Sequence, residues 1–281
     1  MQHFQRILCT GDPILDIYKT EKGELKPFNG GALNIYQNIL ALIEYHFNKT
    51  AYAMFAYPNS GDFLKGDIYN CYTILRHHSY PGVEFRLSDN SNKDLFYEPG
   101  TIQKEICEFK PQIMVLGDYN KGTLNASSYD DSTHPLPDID YTIVDSRYKT
   151  LDLNWLSTSK TSLWHATNKE YDPEWGENFD YIFWTDGPNP VKVLKDNKLI
   201  GTITVPSTQV VDSCGCGDTF TATIAACLAI FKECSDEAIL KYAEFAVEVC
   251  QDVLTKPFTA TTSKRINKEC TLQTLKKLFT S

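Results

Sequence analysis

Short apolar segments alternate with amphipathic ones along most of the chain. Residues 5–9 form an apolar run that ends at Thr10-Gly11-Asp12, and residues 31–45 follow with apolar side chains at helical spacing. A strand, a polar turn and a helix in this order form the unit of a parallel sheet. The pattern predicts further strands at 52–57, 112–116, 141–144 and 181–184, and further helices at 67–77, 102–109, 236–254 and 272–279. We therefore expect an α/β fold.

Two segments depart from this alternation and read as hairpins. Residues 83–87 and 95–97 flank the polar stretch SDNSNKD, and the region 83–98 is interpreted as a small β lid over the main site. Residues 191–194 and 199–205 are joined through Asp196-Asn197 as a second hairpin. Several predicted strands end in polar residues and Gly, which places candidate chemistry at the carboxyl edge of an open sheet.

Composition narrows the function classes. The chain has 281 residues, of which 42% are hydrophobic and 22% charged, so one domain spanning residues 1–281 is the default interpretation. A formal net charge of −9 gives no basic face for nucleic acid or for an acidic membrane surface, and an anionic substrate would need a local cluster of Lys or Arg. Nothing in the sequence predicts a secretory leader or a membrane span. Nine scattered cysteines fit a reducing compartment, so we expect a soluble cytoplasmic protein.

The stretch VVDSCGCGDTF at 210–220 has three interpretations: a Cys-x-Cys metal site, a plain turn into a helix, or a catalytic loop. A zinc site would need a second pair of ligands, and none lies near in sequence. Gly215 and Gly217 allow successive backbone N–H groups to converge at a helix N-terminus and bind an anion. Asp218 would lie in the first turn beside that anion hole. A carboxylate that accepts a proton from a hydroxyl, next to a site for a transferring phosphoryl group, suits phosphoryl transfer.

The order of residues here resembles a family signature. Asp212-Ser-Cys-Gly-Cys-Gly-Asp218-Thr-Phe is similar to D-T-x-G-A-G-D-T-F of the ribokinase-like (PfkB) carbohydrate kinases, with Cys216 where alanine is usual. Asn29-Gly-Gly-Ala-Leu-Asn34 resembles the Gly-Gly-x-x-Asn signature of that family, and Gly11-Asp-Pro-Ile-Leu-Asp16 resembles its opening strand. The resemblance implies a three-layer sandwich with a mainly parallel sheet and a small β lid.

Within this family the chain looks most like the heptose-7-phosphate kinases. GDPILDIY at 11–18 and GDYNKGTL at 117–124 are similar to their G-D-V-M-L-D-x-Y and S-D-Y-x-K-G-x-L stretches. The resemblance implies transfer of the γ-phosphoryl group of ATP to a sugar phosphate, most closely heptose 7-phosphate, with Mg²⁺ as cofactor and K⁺ as a further candidate. It also implies a homodimer.

The resemblance assigns roles residue by residue. Asp218 would be the catalytic base, and the backbone of Gly215, Cys216 and Gly217 the anion hole. The other assignments are substrate binding by Asp16, Gly30, Gly31, Asn34, Asp118, Lys121, Arg86 and Arg147, nucleotide or magnesium binding by Asn168, Glu170, Thr185 and Gly187, and a monovalent cation at Asp212.

Two departures from the family pattern keep alternatives open. Glu170 lies one position early for the N-x-x-E element, and Pro190 replaces the last glycine of the T-x-G-x-x-G nucleotide loop. One alternative is another PfkB sugar or nucleoside kinase, with adenosine, ribose or fructose phosphate as acceptor. The other is a catalytically degenerate member that binds a sugar or a protein. Retention of Asp218 with both glycines favours the enzyme, because loss of a general base typically costs about 10²–10⁴ in rate.

Overall fold

The computed structural model describes residues 5–19, 25–46, 53–56, 72–77, 84–85, 100–124, 129 and 135–258. In chain order, the strands and α-helices of these residues are β1 (Ile7–Gly11), β2 (Pro13–Lys19), β3 (Leu25–Gly30), α1 (Gly31–Ala41), β4 (Ala53–Ala56), β5 (Tyr72–His77), β6 (Glu84–Phe85), α2 (Thr101–Phe109), β7 (Ile113–Asp118), β8 (Ile139–Ser146), β9 (Ser159–Thr167), α3 (Pro173–Gly176), β10 (Tyr181–Asp186), β11 (Asn189–Lys195), β12 (Lys198–Ile203), α4 (Cys216–Phe231) and α5 (Asp236–Leu254). A π-helical turn at Leu42–His46 extends α1, and a 3-10 turn occupies Leu153–Leu156.

Within the described residues, eight strands form one sheet in the order β12-β11-β10-β9-β8-β7-β1-β4. Neighbours from β10 to β4 run parallel, whereas β11 and β12 are antiparallel additions at one edge. Helices α1, α4 and α5 pack on one face and α2 on the other, in two separate hydrophobic clusters. The predicted α/β fold with a mainly parallel sheet is therefore confirmed.

Strand β7 shows how the apolar pattern builds the layers. Ile113 and Val115 belong to the cluster under α1, α4 and α5, while Met114 and Leu116 belong to the cluster on the opposite face. A strand that is buried on both faces needs a continuous apolar run, because successive side chains point to opposite faces.

The carboxyl ends of β1 and β7 approach each other closely at Gly11 and Gly117. Gly11 has φ +131°, and a Cβ on it would lie 2.1 Å from the carbonyl oxygen of Gly117. Only glycine fits there. The backbone N–H of Asp12 then donates to the Gly117 carbonyl oxygen at 2.9 Å, which fixes the edge of the sheet where the candidate site lies.

A second, smaller sheet has the strand order β3-β2-β5-β6 among the described residues. Strands β2 and β3 are antiparallel, β2 and β5 parallel, and β5 and β6 antiparallel. Of the predicted lid at 83–98, only residues 84–85 are described, and they form β6. The other residues of that prediction, and the helix predicted at 272–279, lie outside the described residues.

The helix predicted at 67–77 is wrong for its described part. Residues 72–77 form strand β5, because their backbone pairs with β2 in the register Ile14 to Tyr72 through Lys19 to His77. The β-branched and aromatic residues of YTILRH favour a strand once a partner is present. The helices predicted at 102–109 and 236–254, and the hairpin at 191–205, are confirmed.

Strand β9 was not predicted, although it lies between β8 and β10 in the middle of the sheet. Its sequence, SKTSLWHAT, begins with polar residues and contains a histidine inside the buried stretch. Tertiary hydrogen bonds to His165 remove the cost of that burial.

Among the described helices, none combines the length and apolar content needed to cross a bilayer.

Candidate active site

Helix α4 begins within the stretch VVDSCGCGDTF at 210–220. Gly215 is its N-cap residue with φ 83°, a left-handed conformation that favours glycine, and Asp218 lies in the first turn. The carbonyl oxygen of Gly215 accepts from the N–H of Thr219 at 2.9 Å, which closes that turn. The first N–H groups of a helix have no partner within the helix, so this end can bind an anion.

The three residues predicted to form the anion hole differ in the cavity that they line. Gly215 and Gly217 line a cavity of about 580 Å³ at the carboxyl edge of the sheet. The N–H of Cys216 instead donates to the carbonyl oxygen of Ser213 at 3.2 Å, and Cys216 lines a neighbouring cavity. The prediction for Cys216 therefore needs correction, because a turn at 213–216 already uses its N–H.

Asp218 is almost fully buried and is held by two side chains. Oδ2 accepts from Nδ2 of Asn34 at 2.7 Å, and Oδ1 accepts from the hydroxyl of Tyr119 at 2.6 Å. Burial and the nearby Asp145 carboxylate raise the pKa of Asp218 to about 6, against the lowering effect of these two hydrogen bonds and of Arg147. A carboxylate that faces a cavity with a pKa near neutrality is suited to accept a proton.

A buried polar network lies beneath the start of α4. The hydroxyl of Thr221 is 3.1 Å both from Oδ2 of Asp145 and from Nδ1 of His165, and Nε2 of His165 is 3.2 Å from the hydroxyl of Thr185. Burial raises the pKa of Asp145, but its interactions with His165, Arg147 and Thr221 outweigh that effect, so the pKa of Asp145 is lowered. The His165 ring also stacks on Phe220. This network connects β8, β9 and β10 to α4.

The first cavity, of about 580 Å³, is lined by residues from nearly every predicted part of the site. The predicted site residues among its lining are Asp16, Gly31, Lys121, Arg147, Asn168, Glu170, Thr185, Gly187, Gly215, Gly217 and Asp218. Ile14, Tyr119, Tyr148, Thr167, Lys169, Asp186, Ser213 and Cys214 complete it. The fold thus brings the opening strand, the β7 loop and the start of α4 to one place.

The cationic wall of this cavity is built by the loops after β7 and β8. Asp12 is buried, and its two carboxylate oxygens accept from the backbone N–H groups of Tyr119, Lys121 and Thr123. This clamp holds the loop that carries Lys121. The guanidinium carbon of Arg147 lies 5.0 Å from the centre of the Tyr119 ring, a cation–π contact.

The predicted nucleotide residues Asn168, Glu170, Thr185 and Gly187 also line the first cavity. Oε2 of Glu170 accepts from the N–H of Thr167 at 2.8 Å, so Glu170 lines the cavity despite its shift by one position. Thr185 and Gly187 are shared with the second cavity, of about 550 Å³. That cavity has mostly apolar walls, including Val191, Val205 and Phe220.

Two predicted substrate ligands, Asn34 and Gly30, have positions that change their role. Asn34 is fully buried and bonds Asp218 and Asn38, so it orients the carboxylate and does not line the cavity. Gly30 lies behind Asp16, and a Cβ at Gly30 would come within 2.6 Å of Oδ2 of Asp16. Gly30 therefore makes room for the Asp16 side chain.

The predicted role of Asp118 in substrate binding needs correction. Its carboxylate accepts from the hydroxyls of Ser146 and Thr150 and from the N–H of Asn120, at 2.7, 2.9 and 3.1 Å. It is buried and does not line the cavity, because its acceptor capacity is used to join the loops after β7 and β8. Arg86 lies outside the described residues.

Asp212 lies outside both cavity linings and joins two parts of the chain. Oδ1 accepts from the N–H of Cys214 at 2.9 Å, and Oδ2 accepts from the N–H of Phe258 at 3.2 Å. Each carboxylate oxygen has a second lone pair, so the geometry still fits a monovalent cation, and that role stays a prediction.

Sequence reasoning did not assign roles to Tyr119, Asp145 and His165. Tyr119 belongs to the stretch GDYNKGTL, and Asp145 follows the strand predicted at 141–144. Nothing in the local sequence shows that both lie near Asp218. His165 could have been found as a histidine within the apolar run LWHAT, but the strand that contains this run was not predicted.

Comparisons agree with this architecture. No family model matches the sequence, and no curated protein sequence matches it. Among solved structures, the chain is similar to ribokinase from Giardia lamblia, with a TM-score of 0.67, 13% identity, and coverage of 98% of this chain and 99% of that one. It is similar to fructokinase with bound ATP from Xylella fastidiosa, with a TM-score of 0.67, 14% identity, and coverage of 97% and 98%. A third is aminoimidazole riboside kinase from Salmonella enterica, with a TM-score of 0.60, 10% identity, and coverage of 96% and 99%. At these identities the comparisons establish a ribokinase-like fold.

Proposed function

We propose that the protein is an ATP-dependent sugar kinase that transfers the γ-phosphoryl group to a hydroxyl of a sugar phosphate. The observation that carries the proposal is Asp218, a buried carboxylate with a pKa of about 6 that faces a cavity beside a helix N-terminus. The similar solved structures are named as kinases of ribose, fructose and a riboside, which supports the class of reaction.

Asp218 takes the proton from the attacking hydroxyl. The donors Asn34 and Tyr119 hold its two oxygens in place, so the carboxylate does not have to reorganise when the hydroxyl arrives. The N-terminus of α4, with the N–H groups of Gly215 and Gly217 at the cavity, stabilises the negative charge on the moving phosphoryl group.

The nucleotide occupies the second cavity with its base and reaches the first with its phosphates. The apolar wall at Val191, Val205 and Phe220 suits a purine ring, while Thr185 and Gly187 are common to both cavities. Glu170 accepts from Thr167 through Oε2, lines the first cavity and fits Mg²⁺, which prefers one or two carboxylates together with phosphate oxygens. The ion would neutralise phosphate charge there.

The acceptor carries a phosphate of its own. Lys121, Arg147 and Lys169 line the first cavity together with the carboxylates of Asp16, Glu170, Asp186 and Asp218. The three cations can bind the phosphate of a phosphorylated sugar through charge-assisted hydrogen bonds, which a neutral sugar cannot form. Asp16 lies in the same cavity and can accept hydrogen bonds from vicinal hydroxyls. Heptose 7-phosphate is the leading acceptor, and fructose phosphate, ribose and adenosine are the alternatives.

The test is ATP consumption with Mg²⁺ across these acceptors, with Asp218→Asn beside the wild type. We expect turnover with a phosphorylated sugar and a loss of about 10²–10⁴ in the variant. Asp138→Asn, a change at an exposed site, is the matched control and should retain the wild-type rate. A folded wild-type protein with no turnover above Asp218→Asn on any acceptor would overturn the proposal in favour of a binding protein. Pro190 in the nucleotide loop would then be the first residue to test as the cause of the lost activity.

A further inference from the structure

Two cysteines meet in the wall of the second cavity. Cys216 is the first residue of α4, and Cys250 lies on α5, which packs along α4. Sγ of Cys250 donates to the carbonyl oxygen of Cys216 at 3.3 Å, so the Cys250 thiol lies against the backbone of Cys216. Both residues line the cavity, with Cys216 half-buried and Cys250 buried.

Cys216 differs chemically from the other cysteines of the described residues for which a shift is resolved. The hydrogen bond from Cys250 lowers the pKa of the Cys216 thiol, against the effects of burial and of Asp218. Burial raises the pKa of the Cys9, Cys107, Cys227 and Cys234 thiols. A helix N-terminus also favours a thiolate. Cys216 thus combines access from a cavity with the properties of a nucleophilic thiol.

We propose that Cys216 is a thiol modification site, at which a low-molecular-weight disulfide is captured and then displaced by Cys250 to leave a Cys216–Cys250 disulfide. The proposal rests on the 3.3 Å contact between Sγ of Cys250 and the carbonyl oxygen of Cys216, and on the shared position of the two residues in the cavity wall.

The exchange balances without any other oxidant. The thiolate of Cys216 attacks one sulfur of the small disulfide, forms a mixed disulfide and releases one small thiolate, which takes up a proton. The Cys250 thiol then loses its proton, and its sulfur attacks Sγ of Cys216 and releases the second small thiol. One small disulfide is reduced to two thiols, and two protein thiols are oxidised to one disulfide.

The second step is favoured by the first. The largest cause that raises the pKa of the Cys250 thiol is its hydrogen bond to Cys216. That interaction with a thiolate ends once Sγ of Cys216 is bonded to sulfur. Cys250 therefore becomes easier to ionise when its partner carries the leaving group. Its Sγ already lies 3.3 Å from the carbonyl oxygen of the residue that it attacks.

Nucleotide binding and modification of Cys216 should exclude each other, an expectation that rests on the proposed function. A small thiol attached to Cys216 projects into the cavity assigned to the base of the nucleotide. Bound ATP protects Cys216 in turn. At an ATP concentration of 100 times Kd, the rate of modification should fall about 100-fold, because only the unliganded protein reacts.

The experiment treats the reduced full-length protein with oxidised glutathione and maps its peptides under non-reducing conditions. We expect a Cys216–Cys250 linked pair in the wild type. The Cys250→Ala variant should stop at a glutathione adduct on Cys216, and Cys216→Ser should leave Cys250 unmodified. Cys234→Ala, a half-buried thiol in the α4–α5 connection, is the matched control and should form the linked pair as the wild type does. Thermal unfolding of each variant verifies that it is folded.

Two results would overturn the proposal: a stable adduct on Cys216 in the wild type with Cys250 reduced, or adducts on other cysteines while Cys216 stays unmodified. The peptide mapping uses no nucleotide, so it does not depend on kinase activity. A linked pair in a protein without kinase activity would support the thiol site and contradict only the proposed kinase function. A linked pair that forms equally fast with saturating ATP, its binding verified by calorimetry, would overturn the mutual exclusion.

Discussion

The hydroxyl of Tyr119 donates a 2.6 Å hydrogen bond to Oδ1 of Asp218, although the two residues lie 99 positions apart. Asn34 donates to the other oxygen from a distance of 184 positions. The carboxylate therefore takes one orientation only when α1, the loop after β7 and α4 are all in place. Its geometry is a property of the tertiary fold, whereas its presence is a property of the local motif.

Removal of the Tyr119 hydroxyl should move the pH dependence of catalysis to higher pH. The base must be ionised to act, so kcat/KM should rise with pH through about 6, the pKa of Asp218. The Tyr119 hydrogen bond stabilises the ionised form. A bond to a charged group contributes about 1.5–3 kcal/mol, so Tyr119→Phe should shift this limb upward by about one pH unit or more. Tyr141→Phe, near the start of β8, is the control. An unshifted limb in Tyr119→Phe would exclude Asp218 as the titrating group.

Asp218 should destabilise the fold above pH 6. Its pKa rises from 3.8 to about 6 on folding, so between these values the folded state binds more protons than the unfolded state. The free energy of unfolding then falls as pH rises through that window. Asp218→Asn removes this loss, and its stability relative to the wild type should be greater at pH 8 than at pH 4. Urea unfolding at both pH values measures the difference, with Asp138→Asn as control. A constant difference would contradict the raised pKa.

The signature loop and the sheet could be predicted because their signals are local. VVDSCGCGDTF gave the helix start and its carboxylate, and the continuous apolar runs gave the buried strands. The roles of Asn34 and Asp118 could not be separated in the same way. Both are polar residues in family-like motifs, and only their partners show that one orients Asp218 and the other joins two loops.

Strands β5 and β9 mark the other limit of sequence reasoning. β5 obtains its conformation from pairing with β2, which lies more than 50 residues earlier in the chain. β9 tolerates a buried histidine because Thr221 and Thr185 supply its hydrogen bonds from α4 and β10. In both cases tertiary contacts override a local pattern that is weak or favours another structure.

Loss of a carboxylate oxygen at Asp12 should lower the stability of the fold. The Asp12 oxygens accept three backbone N–H groups from residues 119–123, and an asparagine there can accept through one atom only. At least one buried N–H group then lacks its partner. We expect Asp12→Asn to lower the free energy of unfolding at pH 7 by about 1–3 kcal/mol, measured by urea unfolding. No change relative to Asp138→Asn would mean that the loop finds other acceptors.

Lys121 and Arg147 should discriminate between acceptors with and without a phosphate. Both line the first cavity, and a charge-assisted hydrogen bond contributes about 1.5–3 kcal/mol, which corresponds to about 10–100-fold in affinity. Lys121→Ala should therefore raise KM for the phosphorylated sugar by that factor. The kcat should stay unchanged, because binding in the ground state and in the transition state is lost equally. The KM for an unphosphorylated analogue should not change, because that analogue has no phosphate for Lys121 to bind. Arg147→Ala should do the same and also move the kcat/KM limb to higher pH, since Arg147 lowers the pKa of Asp218. Lys160→Ala, at an exposed ion pair with Asp140, is the control. Equal increases in KM for both acceptors would show that the two cations bind something other than the acceptor phosphate, and the nucleotide phosphates would then be their assigned partner.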